Sequence, residues 1–503
     1  MSYKAVKLIT ILLFILLSVA ASNESTSAGK IHSAAPLTVP KTWDEEAIAT
    51  LDVPLVKASA TPVHTTAATY YSIPARPFYK NYPVYAPGKE PPGYMEMLAR
   101  QEPEIVFDAS NLKTEADWVK AGEMVFDIPI TFNDLATVDD VRDPAWYQKT
   151  GVLAAKDGTV PYYRYVIKEK GKVELGDFSC AMCHNRVMSD GSVIKGAQGN
   201  FPFDRVYAHR MRTKFKVGLA RYLVRVLFGA PWLEPDPHER VKQMSIDEIA
   251  KLHEAVPPGV MSRFGSSLLF PPAVPDLIGV KDRRYLNHTG HMRHRSIEDL
   301  MRYVAIVQDA EVFDRFGDFM PLGRMPDPAK QSRYTDEQLY ALSLYLYALK
   351  PPANPNKFTA LAARGQTVFN REGCGGCHTP PLYTNNKLTP VEGFKVPEEH
   401  LKKFDILPFP VGTDPNLALN TRRGTGYYKV PSLKGVWYRG PFGHSGFVQT
   451  LEEWFDPRRT SDGYVASGFR GAGVTNKAVK GHPFGLDLSP DDRKALIAFL
   501  KTL

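Results

Sequence analysis

All four cysteines of the chain lie in two pentapeptides, Cys-Ala-Met-Cys-His at 180–184 and Cys-Gly-Gly-Cys-His at 374–378. Each puts two thiols and an imidazole on one turn of chain. Two thiols at this spacing can reach both vinyl groups of one porphyrin, and the adjacent imidazole can bind its iron. Paired cysteines also serve as thioredoxin-type redox pairs, zinc sites and structural disulfides. A thioredoxin motif does not need the trailing His, and zinc would need two further Cys or His at ligand spacing beside each pair. Two matching motifs in a chain without other cysteines fit c-type haem best. Two covalently bound c-type haems are therefore expected. Cys180, Cys183, Cys374 and Cys377 are the thioether anchors, and His184 and His378 the proximal iron ligands.

With both axial positions filled, a c-type haem mostly passes electrons. No methionine follows His378, so the later histidines, His400, His444 and His482, are the candidates there. "GHPFGLDLSPDDRKALIAFL" resembles the end of class I cytochromes c, where the distal ligand shortly precedes the last helix. His482, seven residues before Ser489, takes that place as the expected distal ligand of the second haem, with His444 as the alternative. For the first haem, "MPLGRMPDPAKQ" offers Met320 and Met325. Met325 is a possible distal ligand, and core packing is the equal alternative. If Met325 does not bind, the position is open to peroxide or dioxygen. His288, His291 and His294 recur every third residue, with Arg293 and Arg295 beside the last of them. A solvated basic turn is the plainer reading. The sharper one is a distal pocket over the first haem, with His288 or His291 as base and Arg295 as the cation that stabilises a departing oxygen.

The elements that must position these groups are weakly duplicated. "AGEMVF" (121–126) resembles "RGQTVF" (364–369), each at the end of a helical pattern. Each half closes on a similar helix. One starts at Thr335 with a Thr-x-x-Gln capping box, the other at Ser489 with proline in the first helical position. Pro351-Pro352 separates the halves. The first half also holds an insert, "VPYYRYVIKEKGKVELGDF", whose alternation around Lys-Gly-Lys predicts a β-hairpin beside the first site. The expected fold is mainly α, with two cytochrome c-like haem domains at 95–350 and 356–503, long irregular loops and that small hairpin. Residues 22–94 read as a flexible leader and a Pro/Tyr-rich arm.

Lys4 and Lys7 precede an apolar run at 8–20 and then small residues, the pattern of a signal peptide at 1–21. A periplasmic or secreted location follows, with membrane contact only if the segment stays as an uncleaved anchor. The formal charge of +8 falls with the loss of both lysines, and about two propionates per haem nearly cancel the rest. No lysine/arginine run with interleaved aromatics points to nucleic acid.

The chain resembles the bacterial dihaem cytochrome c peroxidase/MauG superfamily. The resemblance rests on both Cys-x-x-Cys-His motifs, "YYKVPSLKGVWYRGPFGHSGFVQTLEEWFD" (427–456) and the terminal "GHPFGLDLS…LIAFLKTL". The 194-residue separation of His184 and His378 is closest to the rubber-oxygenase-like branch. Where that branch carries a Trp-Asp-Gly-Asn stretch, this chain has "YLNHTGHM", without the Trp. The resemblance implies an active first haem and an electron-transfer second haem, with an aromatic relay between them. Trp437 and Trp454 are candidate relay or packing residues. The expected function is an exported dihaem c-type cytochrome, an oxidoreductase of peroxidase or oxygenase type. It would be served by a small redox protein or a respiratory electron donor or acceptor. The alternative is a non-catalytic dihaem electron carrier. A haem-based sensor is a third reading, without a visible output module.

Overall fold

The structure, a computed structural model, describes residues 38–503, so the expected signal peptide lies outside the described residues. The frame is made by α1 (Glu115–Asp127), α2 (Ile297–Ala305), α3 (Asp336–Ala348), α4 (Ala360–Arg371) and α5 (Pro490–Leu500). α1 packs on α3, and α4 packs on α5 in the same manner. Glycine sets how closely each pair approaches. A Cβ on Gly122 would lie 1.9 Å from the Ala341 carbonyl oxygen, and one on Gly365 1.9 Å from that of Ala495. Each crossing is then sealed by an aromatic pair: Phe126 with Tyr345, and Phe369 with Phe499, at 5.5 and 5.4 Å between centroids. The weak "AGEMVF"/"RGQTVF" repeat is thus a repeated helix crossing. α3 starts at the Thr335/Gln338 capping box and α5 at Ser489 with Pro490 behind it.

The predicted hairpin is part of a four-stranded antiparallel sheet. Its strands are β1 (Asn81–Tyr85), β2 (Thr131–Phe132), β3 (Thr159–Glu169) and β4 (Lys172–Asp177), in the order β1-β3-β4-β2. Gly171, at φ +85°, makes the turn. Tyr163, Tyr165, Ile167 and Leu175 are buried. β4 delivers the chain to Cys180, and its end is pinned by Asp177. That carboxylate accepts from the backbone N–H groups of Asp134 and Leu135 at 2.9 and 3.3 Å. Burial pushes the Asp177 carboxyl up to about 8.

Two expectations change. The fold is mixed rather than mainly α, with about 36% of residues in helix and 12% in strand. The strand content comes from the sheet and from short pairings between distant segments, which leave little periodic trace. Second, the chain from Val39 onward is packed rather than loose. Trp43 stacks on Tyr70 at 4.3 Å, and Leu51 and Val53 are fully buried. Pro62–Val63 pairs with Arg315–Phe316. His64 bridges two carboxylates, 2.7 Å to Asp52 and 2.9 Å to Asp314. Burial opposes charge on His64, but Asp314 and Asp52 outweigh it and hold its pKa well above the ordinary histidine value. Residues 39–503 accordingly form one unit.

Gly122→Ala and Gly365→Ala should each destabilise the protein by about 1–3 kcal/mol, because a methyl group must push two backbones apart. Gly218, within the helix Val217–Phe228, has open space where its Cβ would stand. Gly218→Ala should leave stability unchanged or slightly raised. Urea unfolding midpoints of the three variants check this.

Candidate functional site

In the second pentapeptide, Cys374–Gly376 forms a 3-10 turn directly after α4. It ends on a donation from the His378 N–H to the Cys374 carbonyl at 2.9 Å. The His378 ring is fixed by its Nδ1, 3.2 Å from the Tyr383 carbonyl oxygen and 3.1 Å from that of Pro431. With Nδ1–H donating to these acceptors, Nε2 keeps a free lone pair, the arrangement metal-binding imidazoles need. Burial lowers the His378 pKa against the pull of both carbonyls, so the ring is neutral.

Opposite His378 stands His482, with ring centroids 6.3 Å apart and planes tilted by 54°. One metal ion between two imidazole nitrogens, at about 2 Å to each, puts the ring centres roughly 6.4 Å apart. The observed spacing fits. His482 is held in that position against local preference. Its φ is +46°, a left-handed conformation rare for a side-chain-bearing residue. Its N–H donates to the Val411 carbonyl at 2.6 Å. The fully buried Arg459 collects the carbonyls of Trp454, Val479, Gly481 and His482. Trp454 flanks the His482 ring at 5.5 Å and lies under the Arg459 guanidinium. Burial, then His378 and Arg459, push His482 down to about 3. His444, the alternative, instead stacks on Tyr428 at 4.0 Å and meets Phe447 edge-on. His400 bonds the Tyr427 hydroxyl at 2.9 Å within the core. Trp437 packs edge-on against Tyr438.

In the first pentapeptide, Cys180–His184 is one helical turn capped by Ser179, whose hydroxyl accepts from the Met182 N–H. The Cys183 sulfur lies 3.5 Å from that of Met261. Burial lowers His184 to about 4, reinforced by Arg263 and Arg283 and opposed by the carbonyls of Pro275 and Ala197. Those carbonyls polarise the ring, although Nδ1 makes no well-formed hydrogen bond. All four cysteines are free thiols. Burial pushes Cys180 and Cys183 up to about 12 and Cys374 up to about 11. Thioredoxin-type chemistry needs the opposite, a thiol with a lowered pKa. Among the described residues no three His, Cys, Asp or Glu side chains gather to hold a bare metal ion. Each donor set, two thiols and one backed imidazole, suits covalent haem.

A second repeat explains the backing carbonyls. "VPDLIGV" (274–280) and "VPSLKGV" (430–436) match, and the match continues through Arg283/Arg439, His288/His444 and Gly290/Gly446. Pro275 lies behind His184 as Pro431 lies behind His378. Arg283 bonds the carbonyls of Asp276 and Ile278, while Arg439 bonds those of Ser432 and Lys434, the same positions of the two copies. Comparing the sequence with itself at a 156-residue offset would have found it.

The residues expected around the first haem do not gather. Met325 is 48% exposed and belongs to none of the buried clusters, because its loop runs over the surface. Arg295 pairs with Asp299 at the start of α2 and bonds the Thr50 hydroxyl, so it is taken up by helix capping. His288 bonds the Ala273 carbonyl at 2.8 Å and lines one cavity; His291 lines another. The chain turns at Asn287 (φ +65°), just before His288, and again at Gly290 (φ +60°), just before His291. His291 meets Arg423, 3.3 Å from Nε2, and the Asn287 amide nitrogen, 3.1 Å from Nδ1. Arg423 in turn pairs with buried Glu311, just beyond a π-helical turn at Ile306–Ala310 that extends α2. Burial, Arg423 and Arg263 hold His291 well below its ordinary value. Arg263 is the charged group shared by Cys183, His184 and His291. Arg263, Glu311 and Arg423 belong to no motif of the sequence and carried no pattern there.

No family model matches the chain. It is 28% identical over 166 residues to the cytochrome-c peroxidase IdrP1 of Denitromonas iodatirespirans. The overlap takes in 29% of this chain and 40% of that relative, so the chain spans less than half of the curated protein it matches. The match is a weak one, to a peroxidase of the kind the motifs resemble. Among solved structures, hydrazine synthase of Kuenenia stuttgartiensis superposes with a TM-score of 0.31 at 16% identity, over 58% of this chain and 89% of that one. A MauG-like protein associated with microbial copper homeostasis gives 0.29 at 18% identity, over 58% and 88%. Scores of this size do not establish a common fold.

Arg459→Met should free the carbonyls around His482 and leave them buried without a donor. The expected cost is about 3 kcal/mol, with new protease cuts between residues 470 and 485. Limited proteolysis followed by mass spectrometry reads this, and an unchanged digest would show that the clamp is not needed.

Proposed function

We propose that the chain is an exported dihaem c-type cytochrome and an oxidoreductase of peroxidase type, with dioxygen as the other oxidant class. The observation that carries this reading is an asymmetry between two otherwise duplicated sites. His378 faces His482 at the spacing of two axial ligands. His184 instead shares the charge of Arg263 with His291, and Arg423 stands beside that His. The second site is read as the closed one, which takes electrons from a small redox protein or a respiratory donor. The first is read as the reactive one. Within the peroxidase/MauG superfamily, the 194-residue separation of the proximal histidines is nearest the rubber-oxygenase-like branch, on spacing alone.

Haem bound at these motifs supplies one-electron redox chemistry and, where a coordination position is open, a place for peroxide or dioxygen. The chain's own groups do the rest. His378 would hold iron through the nitrogen that the Pro431 carbonyl leaves free, and His184 through the ring that the Pro275 carbonyl polarises. His291 is flanked by a donor at each ring nitrogen, which disfavours the imidazolium and keeps the ring neutral. The neutral ring could accept a peroxide proton once the Arg423 or Asn287 donor gives up its ring nitrogen. Arg423, 3.3 Å from His291, and Arg263 would supply positive charge to an oxygen departing beside that ring.

Adding hydrogen peroxide to half-reduced protein and following absorbance by stopped flow tests the reading. Wild type should react, and His291→Ala should lose about 10²–10⁴-fold in kcat/KM with haem content unchanged. Because the His291 pKa lies well below the ordinary value, the working base stays unprotonated as pH falls from 8 to 6 and activity should stay flat there. Loss would set in only as pH drops through the lowered value. A wild-type protein inert to peroxide would leave the electron-carrier reading; a fully active His291→Ala would remove His291 from the mechanism.

A further inference from the structure

The two copies of the Val-Pro-x-Leu-x-Gly-Val segment meet at a cavity whose walls include Pro275 and Pro431, the residues behind both proximal imidazoles. Arg283, Lys429 and Arg439 also line it, with Asp276 as its carboxylate. Asp276 is already engaged: it accepts from the Tyr438 hydroxyl at 3.0 Å and from the Ile278 N–H at 3.1 Å, and Arg439 Nε stays 3.9 Å away. That Nε is buried without a hydrogen-bond partner. Among the described residues the Lys429 ammonium reaches only the Tyr285 carbonyl, at 3.5 Å. Three cations thus face one committed carboxylate deep in the protein. Buried charge left unpaired is costly, and two guanidinium groups with an ammonium are built to hold carboxylate or phosphate oxygens. Burial and the neighbouring Arg283 and Arg439 hold Lys429 well below its ordinary value, a penalty an anion would remove.

We propose that this cavity is an anion site that binds carboxylate between the two haem-attachment motifs through Lys429, Arg439 and Arg283. Two sources share that chemistry: the propionates of the covalently held porphyrins, and a free small anion. The first source rests on the haem reading above; the second does not.

The test uses holoprotein, with haem content fixed first by intact mass. Reduction potentials are then measured by spectroelectrochemical titration for wild type, Lys429→Met and Lys429→Arg, with and without sodium phosphate at constant ionic strength. Propionate in the cavity predicts a downward shift of at least one potential in Lys429→Met, near-wild-type values in Lys429→Arg, and no response to phosphate. A free anion predicts that phosphate shifts the wild-type potentials and that Lys429→Met abolishes the response. If the chain carries no haem, the haem reading fails and the anion site is decided by Tm: phosphate should raise it in wild type and not in Lys429→Met. Potentials unmoved by both the substitution and phosphate, or in a haem-free chain a Tm unmoved by phosphate, would overturn the proposal. Lys429→Gln serves as the second neutral variant should Lys429→Met fail to fold.

Discussion

A buried imidazole offers a lone pair to a metal most readily when its other nitrogen is held protonated by a fixed acceptor. For His378 that acceptor is a main-chain carbonyl brought from far along the chain, Pro431, 53 residues on; at His184 the Pro275 carbonyl, 91 residues on, polarises a ring whose Nδ1 makes no well-formed hydrogen bond. Much else serves that placement. The glycine crossings fix α1 on α3 and α4 on α5, so the second pentapeptide leaves its frame at a set height, while β4 delivers the first. The positive-φ glycines Gly279 and Gly435 turn each Val-Pro segment back, and Arg283 and Arg439 tie each turn to its own carbonyls.

The copies diverge where chemistry would differ. In the second, a strained backbone at His482, clamped by Arg459, sets a second imidazole across from the first. In the first, the sheet is inserted before the pentapeptide, and the charged side chains acting on His184 are Arg263 and Arg283. The N-terminal arm closes over this half through the Asp52–His64–Asp314 bridge, whose residues border the same cavity as His291. Positive charge is concentrated around both backing segments, as a protein holding an anionic macrocycle would need.

Several features were legible in the sequence because each is a local pattern with a physical cause. The pentapeptides carry their own chemistry, the hairpin shows as alternation around Lys-Gly-Lys, and both helix starts show as caps. The glycine in "AGEMVF" and "RGQTVF" marks the crossing. Other features depend on contacts that sequence neighbours do not share. His288, His291 and Arg295 look like one cluster, yet two left-handed residues send the histidines into different cavities and Asp299 claims the Arg. Trp43, Leu51 and Val53 sit in an aperiodic stretch that reads as loose, although the first two join one buried cluster and Val53 another. The Val-Pro repeat was present all along, hidden by the unequal distances that separate it from the two pentapeptides.

The central claim is that His378 and His482 are the two axial ligands of one haem. Electron paramagnetic resonance of the oxidised protein tests it most directly, with wild type compared against His482→Ala and His444→Ala. The account predicts a low-spin signal in wild type that is lost in His482→Ala, with a high-spin signal in its place, and kept in His444→Ala. A low-spin signal that survives His482→Ala and disappears in His444→Ala would contradict it.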